Sequence, residues 1–200
     1  MARGRAALGF SVHTGWAAMV AVSSGPDGST VILDRQRLVL MGNDPHRPRF
    51  VYHAAQKLDP GAAERLVRES VQESAAKAKA ALEQAVAEIE TKRYRVVAGS
   101  IIVGSQSPPR SLDSILKSHS LIHAAEGELF RSAIRSASKA LRIPITEVRS
   151  RELAARAAAI LGIPAAEIDD HLAAVGRAAG RPWAKDHKDA CLAASIALRA

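Results

Sequence analysis

The stretch ALGFSVHTGWAAMVAV, residues 7–22, decides how this chain folds. An apolar run reaches a polar tip at Ser11, Val12, His13 and Thr14, turns at Gly15, and leaves as a second apolar run from Trp16. Two short apolar segments either side of a glycine turn predict a pair of antiparallel strands. The segment SSGPDGS, residues 23–29, is dense in turn formers and closes a hairpin onto TVILDRQRLVLM, residues 30–41, a third strand. GNDPHRPR, residues 42–49, is a loop, and FVYHAAQKL, residues 50–58, fits either a strand or a helix.

Beyond the break at Asp59-Pro60-Gly61 the period changes. Val67, Val71, Ala78, Leu82, Ala85 and Ile89 recur at steps of three, four and seven, which predicts one long helix over about 62–93. Glu73 and Lys77 add a pair at i,i+4. YRVVAGSIIVG, residues 94–104, is a buried strand, SQSPPRS a loop, and a long helix lies between Leu112 and Leu141. A short strand at about 145–149 precedes a helix capped by Ser150, a further helical segment to Gly180, and a terminal helix in KDHKDACLAASIALRA. One domain of 200 residues is expected, with the long helix as its most extended element and a candidate homodimer surface.

Composition narrows the function classes. Hydrophobic residues make up 48% of the chain, which excludes a disordered segment, and aromatics only 4%, so alanine and branched aliphatics must fill the core. No apolar run approaches the roughly 18 residues of a membrane span, and the basic N-terminus lacks a signal-peptide core; the expectation is a soluble cytoplasmic protein without a membrane partner. Cys191 stands alone, which leaves neither an internal disulfide nor a cysteine metal site, and reads as a small core residue. The net charge of +8 favours a polyanionic partner, foremost nucleic acid. Residues 94–150 carry eight Lys/Arg against four Asp/Glu, so much of the excess surrounds the fourth strand and the helix after it.

Three strands, helix, strand, helix, strand and then helices is the element order of the ribonuclease H-like fold, an α/β architecture with a mixed five-stranded sheet flanked by helices. Three motifs sharpen the likeness. LGFSVHTGWA resembles the first strand and turn of the Holliday-junction resolvase family, with Gly9, Phe10, Gly15 and Trp16 in place and Ser11 where that family carries a catalytic Asp. RVVAGSIIVGS resembles the family's fourth strand, which ends in a catalytic Glu. KDHKDACLAASIA resembles its last helix, with Asp186 and Asp189 at the paired acidic positions ahead of an alanine-rich face.

The resemblance implies two-metal hydrolysis, in which two Mg²⁺ ions stabilise the attacking and leaving oxygens. Two divalent cations so close repel strongly, and three or four carboxylates must offset that repulsion. This chain offers Asp186 and Asp189; the first-strand position is Ser11 and AGSIIVGSQS holds no acid. Two carboxylates and a hydroxyl suffice for one weakly held Mg²⁺, not for two. Three readings therefore stand. The first is a nucleic-acid-binding domain with a degraded, non-catalytic metal site. The second is an active metal-dependent nuclease whose site is relocated to Asp186, Asp189 and the helix carrying His119, His123 and Glu126, which lie on one helical face at i, i+4 and i+7. The third is a protein-interaction module. If the chain is an enzyme, Asp186, Asp189 and Glu126 are the candidate catalytic residues; Asp186 and Asp189 are the candidate metal ligands, and Ser11, His13 and His123 the cleft around them. A Ser11-His13-Asp186 nucleophilic site lacks the G-x-S-x-G elbow, and GSQSPP lacks the lysine of a phosphate-binding loop.

Overall fold

The computed structural model describes residues 3–42, 44, 48–104 and 111–200. Strands β1 (Gly4–His13), β2 (Trp16–Ser24) and β3 (Thr30–Val39) form an antiparallel meander, and β4 (Tyr94–Val103) and β5 (Ile145–Arg149) extend it in parallel to give the order β3-β2-β1-β4-β5. The mixed five-stranded sheet and its flanking helices are the architecture expected. The turn between β1 and β2 is tighter than expected, because β1 continues through His13, which pairs with Trp16. Gly15, at φ 84°, supplies the left-handed residue of that turn.

Side chains alternate across β1, so its two faces carry different layers. Leu8 and Phe10 face a core built from α2 (Pro60–Thr91) and α4 (His119–Ala140), including Leu82, Ile89, Phe130 and Ile134. Ala7 faces the second core, built from α5 (Leu153–Leu161), α6 (Ile168–Ala179) and α7 (Lys185–Arg199). The alanine-rich side of α7 lies directly on the sheet: Ala190, Ala193 and Ala194 are fully buried. Cys191 is buried with them, and burial pushes its thiol up to about 12, against the pull of Ser195.

Several local expectations are corrected. FVYHAAQKL forms a short helix, α1 (Val51–Ala55). The long helix α2 starts two residues early because Asp59 caps it, accepting from the Ala62 N–H at 2.9 Å, with Pro60 in the first turn. Its N-terminal half buries Ser70 and Ser74 where the periodicity pointed to Val71, which is 44% exposed. The helix expected over 112–141 is two, α3 (Leu112–Leu116) and α4, and Ser150 opens a 3₁₀ turn and makes no side-chain cap. The SQSPPRS loop lies outside the described residues except for Ser111, which caps α3. No helix among the described residues is long and apolar enough to cross a membrane.

Gly9 sets how closely the last helix docks. A Cβ there would sit 2.5 Å from the Ala194 amide nitrogen and closer still to the Ala190 carbonyl oxygen, so backbone meets backbone. Neither atom belongs to a side chain that can swing aside. Gly9→Ala must therefore displace α7, and overpacking of this kind costs about 3 kcal/mol. Urea unfolding should show a loss of that order; a variant within about 0.5 kcal/mol of the parent would contradict the contact.

Candidate metal site

Ser11 and His13 share the face of β1 that carries Gly9, two and four residues further on. Two residues of strand advance about 6.6 Å, close to one helical turn of about 5.4 Å. Because α7 runs back along β1 from the carboxyl end, one turn before Ala190 brings Asp186 over Ser11. The Ser11 hydroxyl donates to Asp186 Oδ1 at 3.2 Å, and His13 Nε2 lies 2.7 Å from the same oxygen. Ser11 is buried, while His13 and Asp186 are partly open to solvent. Both Ser11 and Asp186 contact the same nitrogen of His13 (Ser11 Oγ at 3.4 Å). A serine nucleophile relay needs the two ring nitrogens to serve the two partners separately, so this arrangement is a closed hydrogen-bond group and not a triad.

The start of α7 is held from three sides. Arg35 on β3 donates to the carbonyls of Gly180 and Arg181 at 2.7 and 2.8 Å. Trp183 donates to the Leu172 carbonyl at 2.9 Å and its ring packs on Gly176, where a Cβ would collide with it. His187 Nδ1 accepts the Ala184 N–H at 3.2 Å. Burial and the Arg35 charge hold the His187 imidazole below its ordinary pKa, against Asp186, which suits a ring nitrogen that must stay unprotonated to accept. Asp189 is paired with Lys185, one turn earlier, and this pairing raises the Lys185 pKa. The β1–β4 ladder ends with Phe10 opposite Ile101, and the next β4 residue, Ile102, is apolar and packed on the α7 core.

The remaining expected site residues lie elsewhere. Glu126 is not on the exposed face of α4. It is 2% exposed and accepts from the backbone N–H groups of Val51, Tyr52 and His53 at 3.1, 2.9 and 3.2 Å, capping α1. Burial pushes its carboxyl upward, against the hydrogen bonds from His53, Tyr52 and Val51. His123 does not border Ser11 and His13. It meets His119, Nε2 to Nε2 at 3.0 Å, and packs against the His53 ring. The physical reason is layer assignment: α4 covers the Phe10 face of the sheet and α7 the Gly9 face, so one face of α4 cannot share a first layer with Asp186.

Two contributors were not among the site residues expected from the sequence, although Trp16 matches the first-strand motif. Trp16 stacks on His13 with centroids 4.3 Å apart, and the Arg37 guanidinium lies 3.6 Å from the Trp16 ring centre. Arg37, Arg49, Thr14 and Gly15 line a cavity of about 220 Å³ at the β1–β2 turn. The signal was available for Trp16, an aromatic beside a turn, but Arg37 reaches it only through the pairing of β2 with β3.

No family model matches the chain, and no curated protein matches it. Among solved structures, the fold is similar to RuvC of Thermus thermophilus. In complex with a Holliday-junction substrate, that protein aligns at a TM-score of 0.55 and 11% identity over 96% of this chain and 91% of RuvC. A second RuvC structure gives 0.53 and 12% identity over 96% and 92%. The yeast mitochondrial Holliday-junction resolvase Ydc2 aligns at 0.49 and 12% identity over 100% of this chain and 80% of its own. At these identities the likeness is one of fold.

The Ser11-His13-Asp186 group should be energetically coupled. A double-mutant cycle on His13→Ala and Asp186→Ala, read by chemical unfolding, should give a coupling of about 0.5–1 kcal/mol, the range for a partly exposed hydrogen-bonded pair. Additive single effects would show that the two side chains do not interact.

Proposed function

We propose that this protein is a ribonuclease H-like nucleic-acid-binding domain whose metal site is degraded and non-catalytic. One observation carries the reading: both carboxylates left at the site are already engaged by the chain's own donors, Asp186 by His13 and Ser11, and Asp189 by Lys185. A pair of divalent cations needs three or four carboxylates free to turn toward it. Here Ser11 carries no charge, and Lys185 supplies Asp189 with a cation of the protein's own.

Nucleic-acid binding rests on charge and on the likeness to a fold seen bound to a Holliday junction. The chain carries +8, and Arg37 and Arg49 flank the cavity beside the His13-Trp16 stack at the carboxyl end of β1. Guanidinium groups at the rim contact phosphates, and the mixed aromatic and basic surface suits structured or single-stranded strands. Ser11→Asp, which restores a third carboxylate, should raise affinity for Mg²⁺ through added charge.

Titration of branched, single-stranded and linear duplex DNA and RNA at several salt concentrations, with Mg²⁺-dependent cleavage measured on the same substrates, tests the proposal. The expected result is binding that weakens steeply with salt, as phosphate contacts require, and no metal-dependent cleavage. Cleavage by the unmodified protein that is lost in Asp186→Asn or Asp189→Asn would overturn the degraded-site reading. Absence of binding to every substrate would overturn the nucleic-acid reading and leave a protein-interaction module.

A further inference from the structure

A second constellation sits on the opposite layer of the sheet. His53 on α1 and His119 and His123 on the first turns of α4 each offer one ring nitrogen, and the three nitrogens lie within 4.8 Å of one another. Four-coordinate zinc with Zn–N bonds of about 2.0–2.1 Å requires nitrogens roughly 3.3 Å apart. The His119 and His123 Nε2 atoms, at 3.0 Å, already stand near that separation, and the His53 ring nitrogen lies within 4.8 Å of both. The rings are not stacked on one another. They meet edge-on, at 84° for His53 and His119, 67° for His53 and His123, and 87° for His119 and His123. Edge-on rings let lone pairs converge on a point between them.

Glu126 completes the pattern. Its buried carboxylate accepts from His53 Nδ1 at 3.2 Å while the same oxygen takes the His53 backbone N–H. A histidine that donates through Nδ1 presents Nε2 as a free lone pair in a fixed direction, which is how carboxylates orient zinc-bound histidines. The backbone of α1 is fixed as well, because Tyr52 packs on Ile115, Ile122 and Ala125. His119 and His123 are exposed, so the point between the rings opens to solvent on one side.

We infer that His53, His119 and His123 form a binding site for a zinc-class divalent ion, oriented by Glu126 through His53, with its fourth position open to solvent. Three neutral imidazoles favour zinc, copper, nickel and cobalt over Mg²⁺ and Ca²⁺, which prefer oxygen donors. The site is therefore chemically distinct from the Asp186 region and independent of the function proposed for it. A bound ion ties α1 to the start of α4 at the same end of the sheet as Ser11, on the other layer. The open position leaves room for water or an anionic ligand.

The test uses the full chain without a histidine tag, stripped of metal and titrated with Zn²⁺ alone against a chromophoric chelator. The expected result is one equivalent bound, with a concentration-dependent rise in Tm, and Co²⁺ giving the intense visible bands of a four-coordinate ion. His119→Ala and His123→Ala alter exposed side chains and should fold as the parent does, yet each should abolish the equivalent, the Tm rise and the Co²⁺ bands. Glu126→Gln should weaken binding about 10–100-fold, the usual effect of losing an orienting partner. His171→Ala and His187→Ala should leave binding unchanged, and millimolar Mg²⁺ should not compete. Absence of a bound equivalent, retention of it in His119→Ala and His123→Ala, or displacement by Mg²⁺ would each overturn the assignment.

Discussion

The backbone contact between Gly9 and α7 is the constraint on which the rest of the molecule depends. A strand that presents a hydrogen atom where every other residue presents a carbon lets a helix rest directly on the central strand. The alanines of α7 meet that surface with equally small side chains, and the pair forms a close-packed layer that a bulkier residue on either side would pry open. Once that contact is made, the position of the neighbouring residues on α7 follows from helical rise. Asp186 arrives one turn before Ala190, and Ser11 one strand repeat beyond Gly9. The hydrogen bond between them is a consequence of packing and not of a separate design for a site.

That consequence bears on chemistry. In a two-metal site the same juxtaposition brings carboxylates together, and their repulsion is what makes metal binding favourable. In this structure Asp186 is hydrogen-bonded by Ser11 and His13, and Asp189 is paired with Lys185. The carboxylates become part of the fold's own hydrogen bonding. In the proposed function, that engagement removes the electrostatic demand for Mg²⁺ while the basic rim at Arg37 and Arg49 is kept.

Much of this was legible in the sequence because the relevant signals are local. The glycine turn between two apolar runs, the change from a strand period to a helical one at Asp59, and the spacing of Asp186, Asp189 and the alanines each involve residues close in the chain. The pairing of Ser11 with Asp186, 175 residues apart, was legible only through the fold resemblance. What escaped depends on layers. The spacing of His119, His123 and Glu126 correctly describes a helix, but not which arc of it faces inward, and Glu126 turns under α1 because a buried carboxylate satisfies three backbone donors there. His53 could not be joined to that helix from sequence, since FVYHAAQKL reads equally as strand or helix. Arg37 reaches Trp16 across a strand register that no local pattern encodes.

The most direct test of the central claim is a crystal structure of the unmodified protein soaked in Mn²⁺, whose anomalous signal reports any ion at the start of α7. The account predicts that His13 and Ser11 remain on Asp186, that Lys185 remains on Asp189, and that no pair of ions forms between the two carboxylates. Two Mn²⁺ ions about 4 Å apart, ligated by Asp186 and Asp189 with His13 and Lys185 swung away, would contradict it.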